Sequence, residues 1–407
     1  MNKTNMISPK RLLVITDSHF IEKNGIFYTE LQSDSSFWQR YLDVFDELII
    51  LGRIRKAVES DDLDQYLVSS RQGVRFLAIP EFVGVQGLAS YWAEINKRYD
   101  EALDSVDAII ARTPGTILAA LWWKIKSGMK PFAAEVVVNP STAFLSEKNS
   151  LIGKLSSRFF TWMTRDICKN ADGVSYVTSR VLHQQFPSGR SLGDMTRFES
   201  WYSTIDISDS FYIDQRERNK PSCITVAFSG QMNNLRKGQD IFLRTISILN
   251  ERGVPVKAIM VGDGGMRPYL SDLADSLGLH DSIVFSGWIA GTKRVQRYIS
   301  KADFFLLPSL SEGLPRCMIE AMASSVLCIC SGADGMSELV DGCCIVSDNS
   351  PSHYADVIQY FWENWEEYSS ELANQFATAR QFNSSNMRTR RKSFYSELLA
   401  RTCKQKQ

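Results

Sequence analysis

Two carboxylates with seven residues between them, Glu312 and Glu320, lie in the stretch LLPSLSEGLPRCMIEAMASSV, residues 306–326. The stretch reads as a buried strand ending at Leu307, a loop with Pro308, Gly313 and Pro315, and then a helix. Pro315 suits the first turn of that helix, where its missing N–H has no partner to lose. Ionised carboxylates accept hydrogen bonds from hydroxyls, and amides at a glycine turn before a helix favour an anion. Glu312, Glu320 and the amides around Gly313 and Leu314 therefore suit a polyhydroxylated, phosphate-bearing ligand. Upstream, residues 230–238 run from Gly230 through Arg236 and Lys237, two cations able to neutralise a diphosphate. Residues 262–265, GDGG, let the backbone at Gly262 approach a base or ribose closely. Each segment follows an apolar run, and three in succession argue for one site.

Other chemistries fit poorly. In the closest approach to a G-x-G-x-x-G fingerprint, Arg267 stands where the third glycine belongs, and no G-x-x-x-x-G-K-[ST] occurs. The four histidines, His19, His183, His280 and His353, have no second ligand type at useful spacing, so a zinc site is not expected. Lys and Arg total 46 against 46 Asp and Glu, which leaves no net field to recruit nucleic acid. Eight cysteines, none in a C-x-x-C pair, read as buried reduced thiols and favour a reducing cytoplasm. No signal-peptide pattern opens the sequence, and no run approaches the ~18 apolar residues of a spanning helix, so a soluble or peripheral protein is expected. Asp62 and Asp64 spell D-x-D, but within a charged stretch expected to form an exposed helix, with no apolar strand to aim it.

A length of 407 residues predicts two or three domains. Apolar runs at 11–16, 47–51, 75–79, 106–111, 132–138 and 173–178 alternate with helical patterns at 36–45, 90–99, 117–127, 152–169 and 179–186. That alternation predicts βαβ units and a parallel sheet. The first strand should stop at Asp17 and release a loop at its carboxyl end, where open α/β sheets bind ligands. His19 and Gly25 are candidates there, although a loop histidine without chemistry is the simpler reading of His19. Residues 206–221 are polar and aperiodic and predict a linker. A second strand series then runs 223–228, 256–261, 283–285, 304–307, 326–330 and 343–346. In the helix over 152–169, Ile152, Leu155, Phe159, Trp162 and Met163 make an apolar stripe beside Lys154, Arg158, Arg165 and Lys169. Packing of that stripe on the sheet is favoured over contact with an anionic membrane surface.

Over residues 223–346 the sequence resembles the nucleotide-sugar-binding domain of GT-B glycosyltransferases, specifically glycosyltransferase family 4. The E-x7-E element stands as SEGLPRCMIEAMA, the phosphate loop as Gly230-Gln231-Met232 followed by Arg236-Lys237-Gly238, and VGDGG and LGLHDSIVFSGWI resemble two further family segments. The resemblance implies an α/β GT-B fold, two Rossmann-like domains with parallel sheets facing across a cleft. Residues 1–212 would form the acceptor domain and 213–386 the donor domain, with a final helix near 387–407 crossing back to the first. It implies a retaining transfer of a hexosyl group from a UDP- or GDP-sugar to a glycan. The acceptor would be a lipid-linked O-antigen, capsule or exopolysaccharide precursor at the cytoplasmic face of a bacterial membrane, with no metal or cofactor. Lys237, with Arg236, would neutralise the diphosphate; Glu320 would hold the ribose, Glu312 the sugar, and the Gly313 and Leu314 amides the groups between. Two departures stand out. Gln231 replaces the family's loop arginine. EVVVNPSTAF resembles an E-V-x-x-D-P motif, with Asn139 at the acid's position, and Asn is no base at neutral pH. Asn139, His19 and Glu312 are thus the candidates for the catalytic position. Gln231 and Asn139 also motivate the alternatives of a GT-B epimerase or hydrolase, or an inactive nucleotide-sugar-binding partner protein.

Overall fold

The computed structural model of the protein describes residues 9–30, 33–82, 84–143, 151–205, 207–214, 219–289 and 291–404. The first sheet comprises β1 (Arg11–Lys23), β2 (Ile26–Thr29), β3 (Glu47–Lys56), β4 (Leu67–Val68), β5 (Val74–Ile79), β6 (Ala108–Thr113), β7 (Phe132–Val136), β8 (Gly173–Tyr176) and β9 (Phe198–Trp201). Its parallel body runs β5-β3-β1-β6-β7-β8-β9, and β2 with β4 extends the far end of β1 in antiparallel pairing. Helices α1 (Ser35–Leu42), α2 (Gly84–Leu103), α3 (Thr116–Ser127), α4 (Pro140–Ala143), α5 (Leu151–Asn170) and α6 (Val181–Gln185) connect these strands.

The second sheet is formed by β10 (Ile224–Ser229), β11 (Val256–Val261), β12 (Ile283–Phe285), β13 (Phe304–Leu307) and β14 (Leu327–Cys330). All its pairings are parallel, in the order β12-β11-β10-β13-β14. Around it lie α7 (Gln239–Glu251), α8 (Arg267–Ser276), α9 (Thr292–Ile299), α10 (Arg316–Met322), α11 (Pro351–Glu363) and α12 (Trp365–Arg380). A last helix, α13 (Ser384–Lys404), returns to the first sheet.

Alternation along β1 divides the first domain's core, because successive side chains on a strand face opposite sides. Leu12 and Val14 pack with Trp38 and Tyr41 of α1 and with Phe394 and Leu398 of α13. Leu13 and Ile15 pack with Tyr99, Leu118, Trp122 and Met163 of α2, α3 and α5. On the α1–α13 side a buried carboxylate collects distant segments. Glu135 of β7 accepts from Tyr41 Oη at 2.9 Å, Tyr202 Oη at 3.0 Å and Tyr395 Oη at 2.8 Å.

Several expectations are corrected. β1 does not end at Asp17: its register shifts between Ile15 and His19 and pairing resumes to Lys56 of β3. The stretch expected as a ligand loop is a hairpin, turned at Asn24 and Gly25, whose φ of 52° and 79° are those of a tight turn matched to strand twist. The D-x-D segment forms one 3-10 turn, Leu63–Gln65, capped by Asp62, rather than a helix. Residues 343–346 add no strand; Gly342–Cys344 is a 3-10 turn, followed by a single bridge from Cys330 to Ile345. Of the linker, 206 and 215–218 lie outside the described residues, and the described part is docked. Ile207 bridges Asn383, and Ile213 N donates to Ala323 O at 3.0 Å.

The stripe on α5 is also offset. Met163 is buried, but with Phe160, Ile167 and Cys168; Leu155, Phe159 and Trp162 face outward, and the Ile152 side chain lies outside the described residues. Gly153, Ser157 and Thr164 lie on the buried side and let the helix approach the sheet, with Thr164 Oγ1 3.0 Å from Thr113 Oγ1.

Glu135→Ala leaves three tyrosine hydroxyls without their shared acceptor and should destabilise the chain by about 3–5 kcal/mol in urea unfolding. Tyr395→Phe removes one charge-assisted hydrogen bond and should cost about 1.5–3 kcal/mol. Wild-type midpoints for both would rule out Glu135 as the tie.

Candidate active site

Loops leaving the carboxyl ends of β10, β11 and β13 meet on one wall of a cleft of about 700 Å³ between the domains. Gly230, Lys237, Gly262, Glu312, Gly313, Leu314 and Glu320 line this wall. Gly262 brings two of these loops together, since a Cβ there would lie 2.0 Å from the Gly230 carbonyl oxygen. Buried Gln239 shapes the 230–238 loop from behind, donating to Gln231 O at 2.9 Å and Asn234 O at 3.0 Å. Arg236 is not brought to the wall. Leu235–Lys237 form a 3-10 turn, in which neighbouring side chains diverge by about 120°. Arg236 consequently faces solvent, and its carbonyl accepts from Leu310 N at 2.8 Å. Pro315 stands just before α10 as its N-cap rather than within its first turn.

The wall carries both signs of charge. Lys237 Nζ lies 2.5 Å from Glu312 Oε1, which Ser309 Oγ also approaches at 3.3 Å. Burial opposes the Lys237 charge, but its pKa is still raised, by Cys317 only in its thiolate form and by the Glu312 carboxylate hydrogen-bonded to it, so near neutral pH Glu312 is the partner that keeps it a cation. Burial pushes the Cys317 thiol up to about 12, which leaves it neutral. Glu320 on α10 is pushed by burial up to about 7, against the opposing pull of Arg316, 3.8 Å away and one turn earlier. Arg316 also lines the cleft, and its buried Nε has no hydrogen-bond partner. In the sequence the only signal of Arg316 is its i, i+4 relation to Glu320.

The facing wall belongs to the first domain. Glu30, Arg112 and Val137 line both this cleft and a second cavity of about 600 Å³ at the carboxyl end of the first sheet. Arg112 is backed by Glu135, Nε to Oε2 3.4 Å, and by the Phe37 ring at 4.9 Å. His19 lines the second cavity, with Nδ1 3.0 Å from Glu81 and Nε2 2.9 Å from Arg53 Nη1. A guanidinium can only donate, so Nε2 accepts, and the lone pair a general base needs is occupied. Arg53 continues to Asp17 at 3.0 Å, and Asp17 caps α3 through Ile117 N at 3.0 Å and Thr116 Oγ1 at 2.9 Å.

Besides Arg236, two candidates fall outside both cavities. Gly25 sits in the hairpin turn. Asn139 donates to Gln185 Oε1 at 2.9 Å and Asp334 Oδ1 at 3.1 Å, and accepts from Ser141 N and Oγ. It joins the domains and lines neither cavity. Among the described residues, one group has metal-ligand geometry, Cys343, Cys344 and Glu371, and none of the three lines either cavity. Cys343 is exposed, against the expectation of buried thiols, whereas Cys168, Cys328, Cys330 and Cys344 are buried.

Beside Asn139 the domains are clasped. Glu338 of the second domain accepts from Ser179 N and Oγ, both at 2.6 Å, from Arg180 N at 2.8 Å, and from Val181 N. Gly313 closes against the first domain so tightly that a Cβ would lie 2.4 Å from Val137 O. Glu312 and its neighbours are therefore seated by contact with the opposite domain.

Two outcomes are expected. Glu320 holds its proton in the folded state between its ordinary 4.5 and about 7. Its contribution to stability is full below pH 4.5 and is lost as pH rises through about 7. Urea unfolding at a series of pH values should show that decline in wild type and a flatter curve in Glu320→Gln; identical curves refute the assignment. Glu338→Ala leaves the Ser179–Val181 amides unmet and should enlarge the radius of gyration in small-angle scattering, whereas an unchanged radius would deny the clasp.

Residues 223–364 match the family described as Glycosyl transferases group 1. The Staphylococcus aureus protein CapJ is 24% identical over 328 residues, 79% of this chain and 78% of CapJ. The O-antigen biosynthesis glycosyltransferase WclY of Escherichia coli is 28% identical over 202 residues, covering 48% of this chain and 55% of WclY. The Anabaena protein Alr3699/HepE, solved with UDP and glucose, superposes with a TM-score of 0.61 at 15% identity, over 97% of this chain and 99% of that one. That structural likeness establishes the shared fold. With the group 1 domain over residues 223–364 and the shared GT-B fold, the chain is a glycosyltransferase.

Proposed function

We propose that the protein transfers a hexosyl group, with retention of anomeric configuration, from a nucleoside diphosphate sugar to a lipid-linked precursor of a bacterial surface polysaccharide. The reading is carried by the Lys237–Glu312 pair on the same wall as Glu320. The transfer makes a bond from an acceptor hydroxyl oxygen to the anomeric carbon and breaks that carbon's bond to the diphosphate. Charge grows on the departing diphosphate, and Lys237 offsets it from a fixed, partly dehydrated position. Glu312 sits where diphosphate and sugar meet and accepts from sugar hydroxyls, while Glu320 accepts from the ribose. With His19 Nε2 occupied by Arg53 and Asn139 turned to the clasp, the diphosphate oxygen is the group that gains basicity as the bond breaks. The acceptor proton passes to it. The clasp at Gly313 and Glu338 keeps competing water from the closed cleft. UDP and glucose in HepE support a nucleotide-sugar donor, and the O-antigen role named for WclY supports the acceptor class.

Turnover of UDP- and GDP-hexoses with and without lipid-linked glycan extracts tests this. Nucleotide release should require the extract, and Lys237→Ala and Glu320→Ala should each weaken donor binding by roughly 10–100-fold in calorimetry with the circular dichroism unchanged. Unaltered affinity in both variants sinks the donor site. An epimerised sugar formed without acceptor, or binding with no turnover, replaces transfer with another activity.

A further inference from the structure

The outer face of α5 is uncovered. At about 100° per residue, Phe160, Met163 and Ile167 turn onto the sheet, while Leu155, Phe159 and Trp162 form a separate arc about 60° wide. These three are 64%, 44% and 49% exposed. Lys154, Arg158, Arg165 and Lys169 fill the adjoining arc, all exposed. Trp123 of α3, also exposed, extends the ridge, its ring 6.5 Å from that of Trp162, with Lys126 Nζ 5.6 Å from the Trp123 ring. The acid within this helix, Asp166, is engaged by Lys126, Trp122 Nε1 and Asn170. Among the described residues no carboxylate pairs with Lys154, Arg158, Arg165 or Lys169.

Exposed apolar side chains on a soluble monomer are ordinarily scattered. A contiguous ridge of two tryptophans, a phenylalanine and a leucine, bordered by cations without acid partners, has a definite chemical complement. Indole and phenyl rings settle at the headgroup level of a bilayer, and lysines and arginines beside them meet lipid phosphates. We propose that this face of the first domain binds an anionic lipid surface, with α5 lying in the plane of the headgroups. No described helix is long and apolar enough to cross a membrane, so the contact is one of lying on the surface. α5 packs against α4, which begins at Pro140 beside Asn139 of the clasp. The inference rests on the helix face and stands whether or not the acceptor is lipid-linked.

Flotation of the full-length protein with phosphatidylethanolamine–phosphatidylglycerol vesicles, against phosphatidylcholine vesicles, tests it. The protein should bind the anionic vesicles only, and less as salt screens the charges. Phe159→Ala with Trp162→Ala, and separately Lys154→Glu with Arg158→Glu, should each weaken the partition by roughly tenfold or more. Nucleotide-sugar binding and melting temperature should remain those of wild type in the charge-reversal variant, whose side chains are exposed. Equal binding to both vesicle types, or wild-type partition in both variants, overturns the proposal. So does a concentration-dependent dimer in sedimentation velocity that Trp162→Ala dissolves, which would assign the ridge to a second copy of the chain.

Discussion

The cleft depends on one buried carboxylate some distance behind it. Glu135 is bonded by tyrosines from α1, from the segment after β9 and from α13. The same group lies against the Arg112 guanidinium, which faces both cavities. A charge removed from water is tolerable only when its lone pairs are met, and here the partners come from segments that only the folded chain unites. Fixing Arg112 at the cleft and fastening the final helix to the first sheet are thus the same interaction. The first wall of the cleft is as rigid as the ring of tyrosines behind it.

The second wall is poised differently. Lys237 and Glu312 satisfy one another across a short contact, so the wall is neutral where a diphosphate would lie. In the proposed reading an incoming phosphate would compete with Glu312 for the ammonium, and the displaced carboxylate would meet the hydroxyls of the sugar. That exchange would replace one buried pair by two, which would favour a ligand carrying both an anion and hydroxyls over either alone. Glu320 behaves as a separate element because burial, rather than a partner, dominates its protonation. Its neighbour Arg316 offers an unpaired Nε to the same wall.

The second wall of the cleft was readable in the sequence because its parts are local. Strand, glycine turn and short helix occur within a few residues of one another, and each carries its own signal, from the apolar run before Pro308 to the spacing of Glu312 and Glu320. The outward direction of Arg236 is decided by a 3-10 turn, which composition does not announce. The first wall was largely illegible. Arg112 and Glu135 adjoin only because β6 and β7 pair in one register, Arg112 opposite Glu135. Glu338 reaches Ser179 across 159 positions, and nothing in either neighbourhood marks the pairing. β1 looked finished at Asp17 because a polar residue followed an apolar run. In fact Asp17 serves α3 as a cap while the strand shifts register and continues.

α5 shows how periodicity can be right about a helix and wrong about its faces. Two apolar arcs lie along it, and a 3.6-residue repeat is satisfied by both. Space decides between them. Gly153, Ser157 and Thr164 flank Phe160, Met163 and Ile167, and their small volume lets that arc close on the sheet, where Thr164 meets Thr113. The arc with Leu155, Phe159 and Trp162 is bordered by long cations that cannot be buried without partners. Turning it inward would drag Arg158 and Arg165 toward the core. The sheet therefore takes the quieter face, and the one rich in rings and charge is left outward.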